Sequence, residues 1–297
     1  MSAPAAPAAI DVPAQPTRAR GYWAGVGRRL VRDRVSMVCA AILVLICLAA
    51  ILAPWLGLPD PYQGSMIRRL RHIGTAGYIL GSDELGRDML ARLIYGGRLS
   101  LVIGITPVIL AFVLGTALGL VAGYAGGAVN TAIMRTIDVF FAFPSVLLAI
   151  AISAALGAGI VNSIVSLTVI FTPQIARVAE SVTTGVRNMD FIDAARASGA
   201  GAATVIRVHV LGNVLGPIFV YATGLTSVSM ILASGLSFLG LGVKPPEPEW
   251  GLMLNTLRTA IYSNPWVAAL PGAMIFIVSI CFNLLSDGLR SAMDIRN

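Results

Sequence analysis

Six apolar runs of about twenty residues, separated by short segments that hold most of the charge, constrain this chain more than any other feature. A helix of that length crosses a bilayer core of roughly 30 Å. Lipid offers exposed backbone amides no hydrogen-bond partner, so such runs must be helical. Strands would need a closed barrel and an alternating pattern that this sequence lacks. The expected class is therefore all-α, a polytopic membrane protein with six transmembrane helices. The spans are expected near residues 36–56, 100–122, 139–156, from the turn at 157–162 to about 177, 214–241 and 266–285. Composition agrees, because only 12% of residues are charged against roughly 25% in a soluble domain.

Orientation follows from arginine. Six arginines and one acid lie between Arg18 and Arg34, directly before the first span, so the N-terminus is expected in the cytoplasm, and an even number of spans returns the C-terminus there. By this topology the inside segments carry 13 basic residues and the outside loops 8. Residues 1–35 are expected as a cytoplasmic arm, disordered over its Ala/Pro-rich first part and without the hydrophobic region of a cleavable signal. Tyr22 and Trp23 sit either at the membrane interface or in an ordinary amphipathic lead-in. The net charge of +7 comes with no nucleic-acid motif. Cys39, Cys47 and Cys281 fall in apolar runs and are expected as small buried hydrophobes, with no disulfide and no metal site.

The chain divides into the arm, a first span (36–58), an external loop (59–99) and a core of five spans (100–297). Within the loop, Asp83, Glu84 and Asp88 are too few for a calcium site and are expected to cap a helix and pair with Arg87 and Arg92. Residues 89–99 are expected as a separate amphipathic helix on the outer surface. Gly115, Gly119 and Gly123 form a small-residue stripe that lets a neighbouring helix approach closely. Pro144 should bend the third span.

The polar interruption at 188–213, NMDFIDAARASGAGAATVIRVHVLGN, is the main functional candidate. Asp190 is expected to cap a two-turn helix, Asp193 to complete a capping-box-like spacing, and Gly199 to end it. So short a helix is marginal alone, and the Ala194–Ala195 pair offers a narrow face for a partner's groove. A second helix, 202–211, is expected to place Val205, Val208 and His209 on one side and Arg207 on another.

Asp193-Ala194-Ala195, followed by Gly199 and Leu211, resembles the EAA loop in membrane subunits of binding-protein-dependent ABC importers. Asp193, His209 and Gly212 depart from the usual Glu, Ile and Pro of that pattern. GSDELGRDMLARLIYGGRLSL, SFLGLGVKPPEPEWG and FNLLSDGLRSAMD are similar to C-type permeases of dipeptide, oligopeptide and nickel importers. The resemblance covers roughly residues 80–294. It implies a type I ABC importer permease fold in the bacterial inner membrane and a homologous B-type permease as partner. It also implies two ATP-binding subunits that use ATP and Mg, and an external solute-binding protein. Asp190, Asp193, Ala194, Ala195, Arg196 and Gly199 are then the ATPase-coupling residues, and Glu247, Glu249 and Trp250 are candidates for contact with the binding protein.

The remaining chemistry agrees with a pore-forming subunit that is not an enzyme and binds no cofactor itself. The single lysine, Lys244, precedes two prolines, so no phosphate-binding loop is present. The spans have almost no ionisable residue at mid-depth, which argues against a secondary carrier. A passive channel would leave the 188–213 interruption unexplained. An intramembrane protease would need a histidine near Ser237, yet His72 and His209 fall in loops on opposite sides. Peptides are the first expected solute, with nickel, glutathione or glycosides as alternatives. ATPase closure is expected to drag the 188–213 bracket and rock spans three to five.

Overall fold

The computed structural model describes residues 22–293. The disordered arm expected for residues 1–20 lies outside the described residues, as do the side chains of Tyr22 and Trp23. Helix α1 (Tyr22–Arg32) leads into α2 (Arg34–Leu52). Asp33 caps α2 by accepting from the amides of Val35 (3.2 Å) and Ser36 (3.3 Å), satisfying donors the helix leaves open. The first span then stops in a turn at Ala53–Trp55 that contains Pro54.

Helix α3 (Met89–Ala125) is one unbroken element of 37 residues, roughly 55 Å long at 1.5 Å per residue. The separate surface helix expected at residues 89–99 is therefore not found. Those residues form the first three turns of α3, and Met89, Ala91, Arg92, Leu93, Gly96 and Gly97 are buried against the rest of the chain. The basic residues that looked like a polar helix face are used internally. The third span is broken more sharply than a bend: α4 (Gly127–Phe141) and α5 (Ser145–Leu156) meet at 88°. Pro144 lacks an amide proton and biases Phe143 away from helical geometry. Among the described residues, five helices are long and apolar enough to cross a membrane, and counting the bent pair as one span gives six.

Helix α6 (Ile160–Arg187) runs ten residues past its expected end, because a helix need not stop where the bilayer does. After α7 (Asp190–Ala197), α8 (Ala202–Thr204), a π-helical stretch Val205–Val210 and α9 (Leu211–Phe238) continue as one rod, Ala202–Phe238. Short α10 (Trp250–Thr256) precedes α11 (Pro265–Met293).

The most extensive helix pairing is α3 with α6. The stripe of Gly115, Gly119 and Gly123 faces α6: a Cβ on Gly115 would lie 2.8 Å from the Thr172 carbonyl oxygen, and one on Gly123 2.8 Å from that of Glu180. This is the close approach expected of small residues in lipid, where packing drives helix association.

The segment between α2 and α3 is pinned by a buried ion cluster. Asp83 Oδ2 lies 2.6 Å from Arg87 Nε and 3.2 Å from Arg92 Nε, and Glu84 Oε1 lies 3.0 Å from Arg87 Nη2. Arg92 Nη1 also donates to the carbonyl of Pro61 (2.9 Å), and Asp88 caps α3 by accepting from the Ala91 amide at 2.7 Å. These are the capping and pairing roles expected for the three acids. Removing the shared acceptor leaves two buried guanidinium groups short of charge, so Asp83→Ala is expected to destabilise this end by about 3–5 kcal/mol. Thermal unfolding in detergent measures it; an unchanged midpoint would contradict the pairing.

Candidate coupling site

The 188–213 segment begins where α6 ends. Met189 takes extended geometry (φ −87°, ψ 144°) and is the N-cap of α7, whose first helical residue is Asp190. The expected capping box is thus not formed: no side chain caps α7, and Asp193 instead pairs with Arg196 at 3.2 Å. One residue's displacement explains the difference, since a helix that starts at Asp190 has already used its cap position on Met189. Asp190 and Asp193 still sit in the first turn, where negative charge opposes the helix dipole.

The far end forms as expected. Gly199 has φ +84°, its amide donates to Arg196 O (2.9 Å), and the Ala200 amide donates to Ala195 O (3.1 Å). This is a Schellman end, with Ala195 and Ala200 both resting on the main apolar core. A Cβ on Gly199 would meet nothing within 4 Å, so glycine is required there for its left-handed backbone alone.

The second arm differs from expectation. Val205 and Val210 are fully buried, while Val208 is 60% exposed and His209 half-buried. The π-helical turn separates inward residues by five positions instead of three or four, and no residue type in VIRVHV announces such a turn.

Helix α7 is held by one fully buried side chain, Ile192, by the Arg196 guanidinium over the Tyr124 ring at 5.5 Å, and by Phe191 beside His209 with ring centroids 6.4 Å apart. Ala195 is half-buried and faces inward, whereas Asp190, Asp193 and Ala194 are exposed. Met189 and Phe191, which sequence reasoning did not select, add exposed apolar area beside them (48% and 41%). In the sequence they show only as two apolar residues flanking Asp190 in a polar stretch; their exposure comes from the fold. Tyr124 belongs to the last turn of α3, so α7 sits at the opposite end of that helix from the Asp83 cluster.

The three residues expected to meet an external partner are rearranged. Glu249 (2% exposed) and Trp250 (0%) are buried and unavailable for docking. Glu249 caps α10 by accepting from the amides of Gly251 (2.9 Å) and Leu252 (2.8 Å) and from the Ser100 hydroxyl (3.0 Å). The Trp250 indole donates to Leu93 O at 2.9 Å. A tryptophan after prolines reads as interfacial, but here α3 closes over it. Glu247 stays partly exposed and accepts from the Tyr62 hydroxyl at 2.8 Å.

Burial pushes the Glu249 carboxyl above its ordinary value, against the opposing hydrogen bonds from Gly251 and Leu252. Its folded form therefore favours the proton. This contribution to stability is fully present below the ordinary carboxylate range and is lost as pH rises through the raised value. Glu249→Gln is expected to flatten that part of a melting-temperature profile against pH; a profile identical to the parent's would remove Glu249 as its source.

Between α9 and α11 lies an open, mostly apolar cavity of about 580 Å³, walled by residues such as Ile231, Phe238, Phe276 and Ile280, with Ser227, Ser234, Ser279 and Asn283 as its polar groups. Asn283 is exposed and makes no side-chain hydrogen bond among the described residues. A lipid-facing amide on a span would be costly, so this face needs water or another protein.

Residues 115–296 match the family described as the binding-protein-dependent transport system inner membrane component, and residues 21–71 match the N-terminal TM domain of oligopeptide transport permease C. The chain is 37% identical to the di/tripeptide transport system permease protein DppC of Pseudomonas aeruginosa (strain UCBPP-PA14), over 97% of this chain and 96% of that protein. It is 40% identical to the glutathione transport system permease protein GsiD of Pectobacterium atrosepticum, over 93% and 91%. Among solved structures, the inward facing MetNI methionine ABC transporter aligns with TM-score 0.56 and 19% identity, over 69% of this chain and 97% of that one. The fold and these matches agree: the chain belongs to the inner-membrane components of binding-protein-dependent transport systems, among the dipeptide/oligopeptide-type ABC permeases.

Proposed function

We propose that this chain is the pore-forming permease subunit of an ATP-driven importer, moving di- or oligopeptides across the inner membrane with both termini in the cytoplasm. It pairs with a homologous B-type permease, receives solute from an external solute-binding protein, and docks through residues 188–213 on one of two ATP-binding subunits. Those subunits, not this chain, bind and hydrolyse ATP with Mg. The observation that carries the reading is α7: a two-turn helix with a single fully buried side chain, Ile192, presenting Met189, Phe191, Asp190, Asp193 and Ala194 outward at the end of α3. A helix this short needs a partner's packing to be rigid. If that partner binds differently in its open and closed states, it shifts the permease between two conformations. The mostly apolar cavity between α9 and α11, with its few serines and Asn283, suits the face of the paired permease.

The test is affinity purification of the tagged chain from gently solubilised membranes. ATP-binding subunits are expected to co-purify, and Ala195→Asp to abolish this. If none appear, the importer reading loses its support. A second reading, glutathione as the solute, is favoured by the 40% identity to a glutathione permease. Competition between labelled dipeptide and glutathione for uptake in cells that depend on this chain separates the two.

A further inference from the structure

Six arginines lie in or beside the segment between α2 and α3, and the structure divides them into two groups. Arg87 and Arg92 are consumed by Asp83 and Glu84, and Arg98 donates to the carbonyls of Ala50 and Ile51. Arg68, Arg69 and Arg71 are exposed and make neither an ion pair nor a side-chain hydrogen bond among the described residues.

Their side chains are free but their backbone is not. The Leu70 amide donates to Asp83 O (3.0 Å), the Ser82 amide to Arg71 O (3.2 Å) and the Arg71 amide to the Ser82 hydroxyl (2.9 Å). Asn264 Nδ2 donates to the carbonyls of both Leu70 (3.2 Å) and Arg71 (3.1 Å). Asn264 directly precedes α11, a helix of 29 residues, roughly 43 Å long and so longer than the roughly 30 Å hydrocarbon core. The uncharged run of α11 begins at Pro265 and ends at Ser286, a length that matches that core, so its first turn marks one boundary of the core, and the backbone of the arginine segment is tied to the residue just before it. Around them the chain exposes side chains suited to the boundary between water and lipid: Tyr262 (92%), Ile67 (87%) and Trp266 (75%). Aromatic rings and arginines on apolar stems prefer that boundary.

We propose that Arg68, Arg69 and Arg71 form a surface for the phosphate headgroups of anionic phospholipid, with Ile67, Tyr262 and Trp266 set into the adjoining acyl boundary. The surface lies at the end of α3 opposite α7. It rests on the proposed function only for the name of the leaflet: if α7 faces the cytoplasm, the lipid is that of the outer leaflet. Each arginine near an anionic membrane surface strengthens attachment several-fold, and the pinned backbone spares the cost of ordering the loop.

The test uses the full chain in nanodiscs, with its three cysteines replaced by alanine and a nitroxide label on Ile67→Cys. In bilayers containing phosphatidylglycerol the label is expected to show oxygen accessibility typical of the headgroup–acyl boundary. Native mass spectrometry of the delipidated chain should show phosphatidylglycerol bound in preference to phosphatidylcholine. The triple variant Arg68→Gln/Arg69→Gln/Arg71→Gln is expected to weaken that binding at least about tenfold. An Arg28→Gln/Arg29→Gln/Arg32→Gln variant, altered before the first span, should retain the lipid that the first triple variant loses. A fully water-exposed label, or lipid binding unchanged in the first variant, overturns the proposal. So does a water-exposed label joined to loss of stimulation by a solute-binding protein, which would assign the surface to a protein. Failure of ATP-binding subunits to co-purify leaves each of these readouts intact, so the two proposals fail separately.

Discussion

Gly119→Leu is expected to leave little correctly folded subunit in the membrane. A Cβ at this position would meet the Ala176 carbonyl oxygen, the Ala179 Cβ at 2.5 Å and the Glu180 amide nitrogen at 2.7 Å. Two of those three atoms are backbone of α6, which no rotamer change can move aside. The helices must separate, and the loss falls on the most extensive pairing in the fold. A cost of about 3 kcal/mol is expected, the upper part of the range for overpacking a tight interior. Gly185→Ala is the control, since a Cβ there would meet nothing within 4 Å. It should match the parent or exceed it slightly. Size-exclusion chromatography of a fluorescent fusion and the melting midpoint in detergent measure both. A Gly119→Leu chain with the parent's midpoint would show that α3 and α6 do not approach as described.

The second large effect is on transport. Ala195→Asp is expected to reduce uptake at least about tenfold while the spans stay inserted, an energy of roughly 1.4 kcal/mol or more in coupling. The half-burial of Ala195 adds a complication, because an aspartate there sits against the apolar core and disturbs α7 itself as well as its docking face. Ala194→Asp separates the two effects: Ala194 is exposed, so its substitution leaves α7 intact and changes only what a partner meets. Loss of uptake and of ATP-binding subunits in both variants, with parental melting, places the contact on α7. Normal uptake by Ala194→Asp and Ala195→Asp alike would remove α7 from coupling. Gly199→Val acts through the backbone instead, forcing a β-branched residue to φ +84° at a cost of about 1–2 kcal/mol, and should weaken coupling by fraying the end of α7.

Much of this was legible in the residues. Segments of about twenty apolar residues leave helix as their only state in lipid. The Gly115–Gly119–Gly123 stripe, the pairing of Asp83 with Arg87 and Arg92, and the end of α7 at Gly199 each follow from short-range chemistry, and the structure has them as expected. The errors share a different cause. Arg92 and Arg98 make residues 89–99 look amphipathic, but Asp83 and the carbonyls of Ala50, Ile51 and Pro61, supplied from elsewhere in the chain, pair with them. A proline-rich loop such as the one before Glu249 and Trp250 usually is exposed, yet Ser100 and Leu93 of α3 receive both side chains. A regular helical period points Val208 inward, and the π-turn breaks that period.

By itself, then, the sequence determined the number of apolar segments, their helical state, the glycine-mediated approach and the position of the short helix, since each depends on residues within a few turns of one another or on the solvent around them. Only the tertiary structure decided which charged and aromatic side chains are satisfied internally and which, such as Arg68, Arg69 and Arg71, remain free for something else. Whether a polar group is buried depends on partners that may be 150 residues away, as Trp250 is from Ser100, and local pattern carries no information about them.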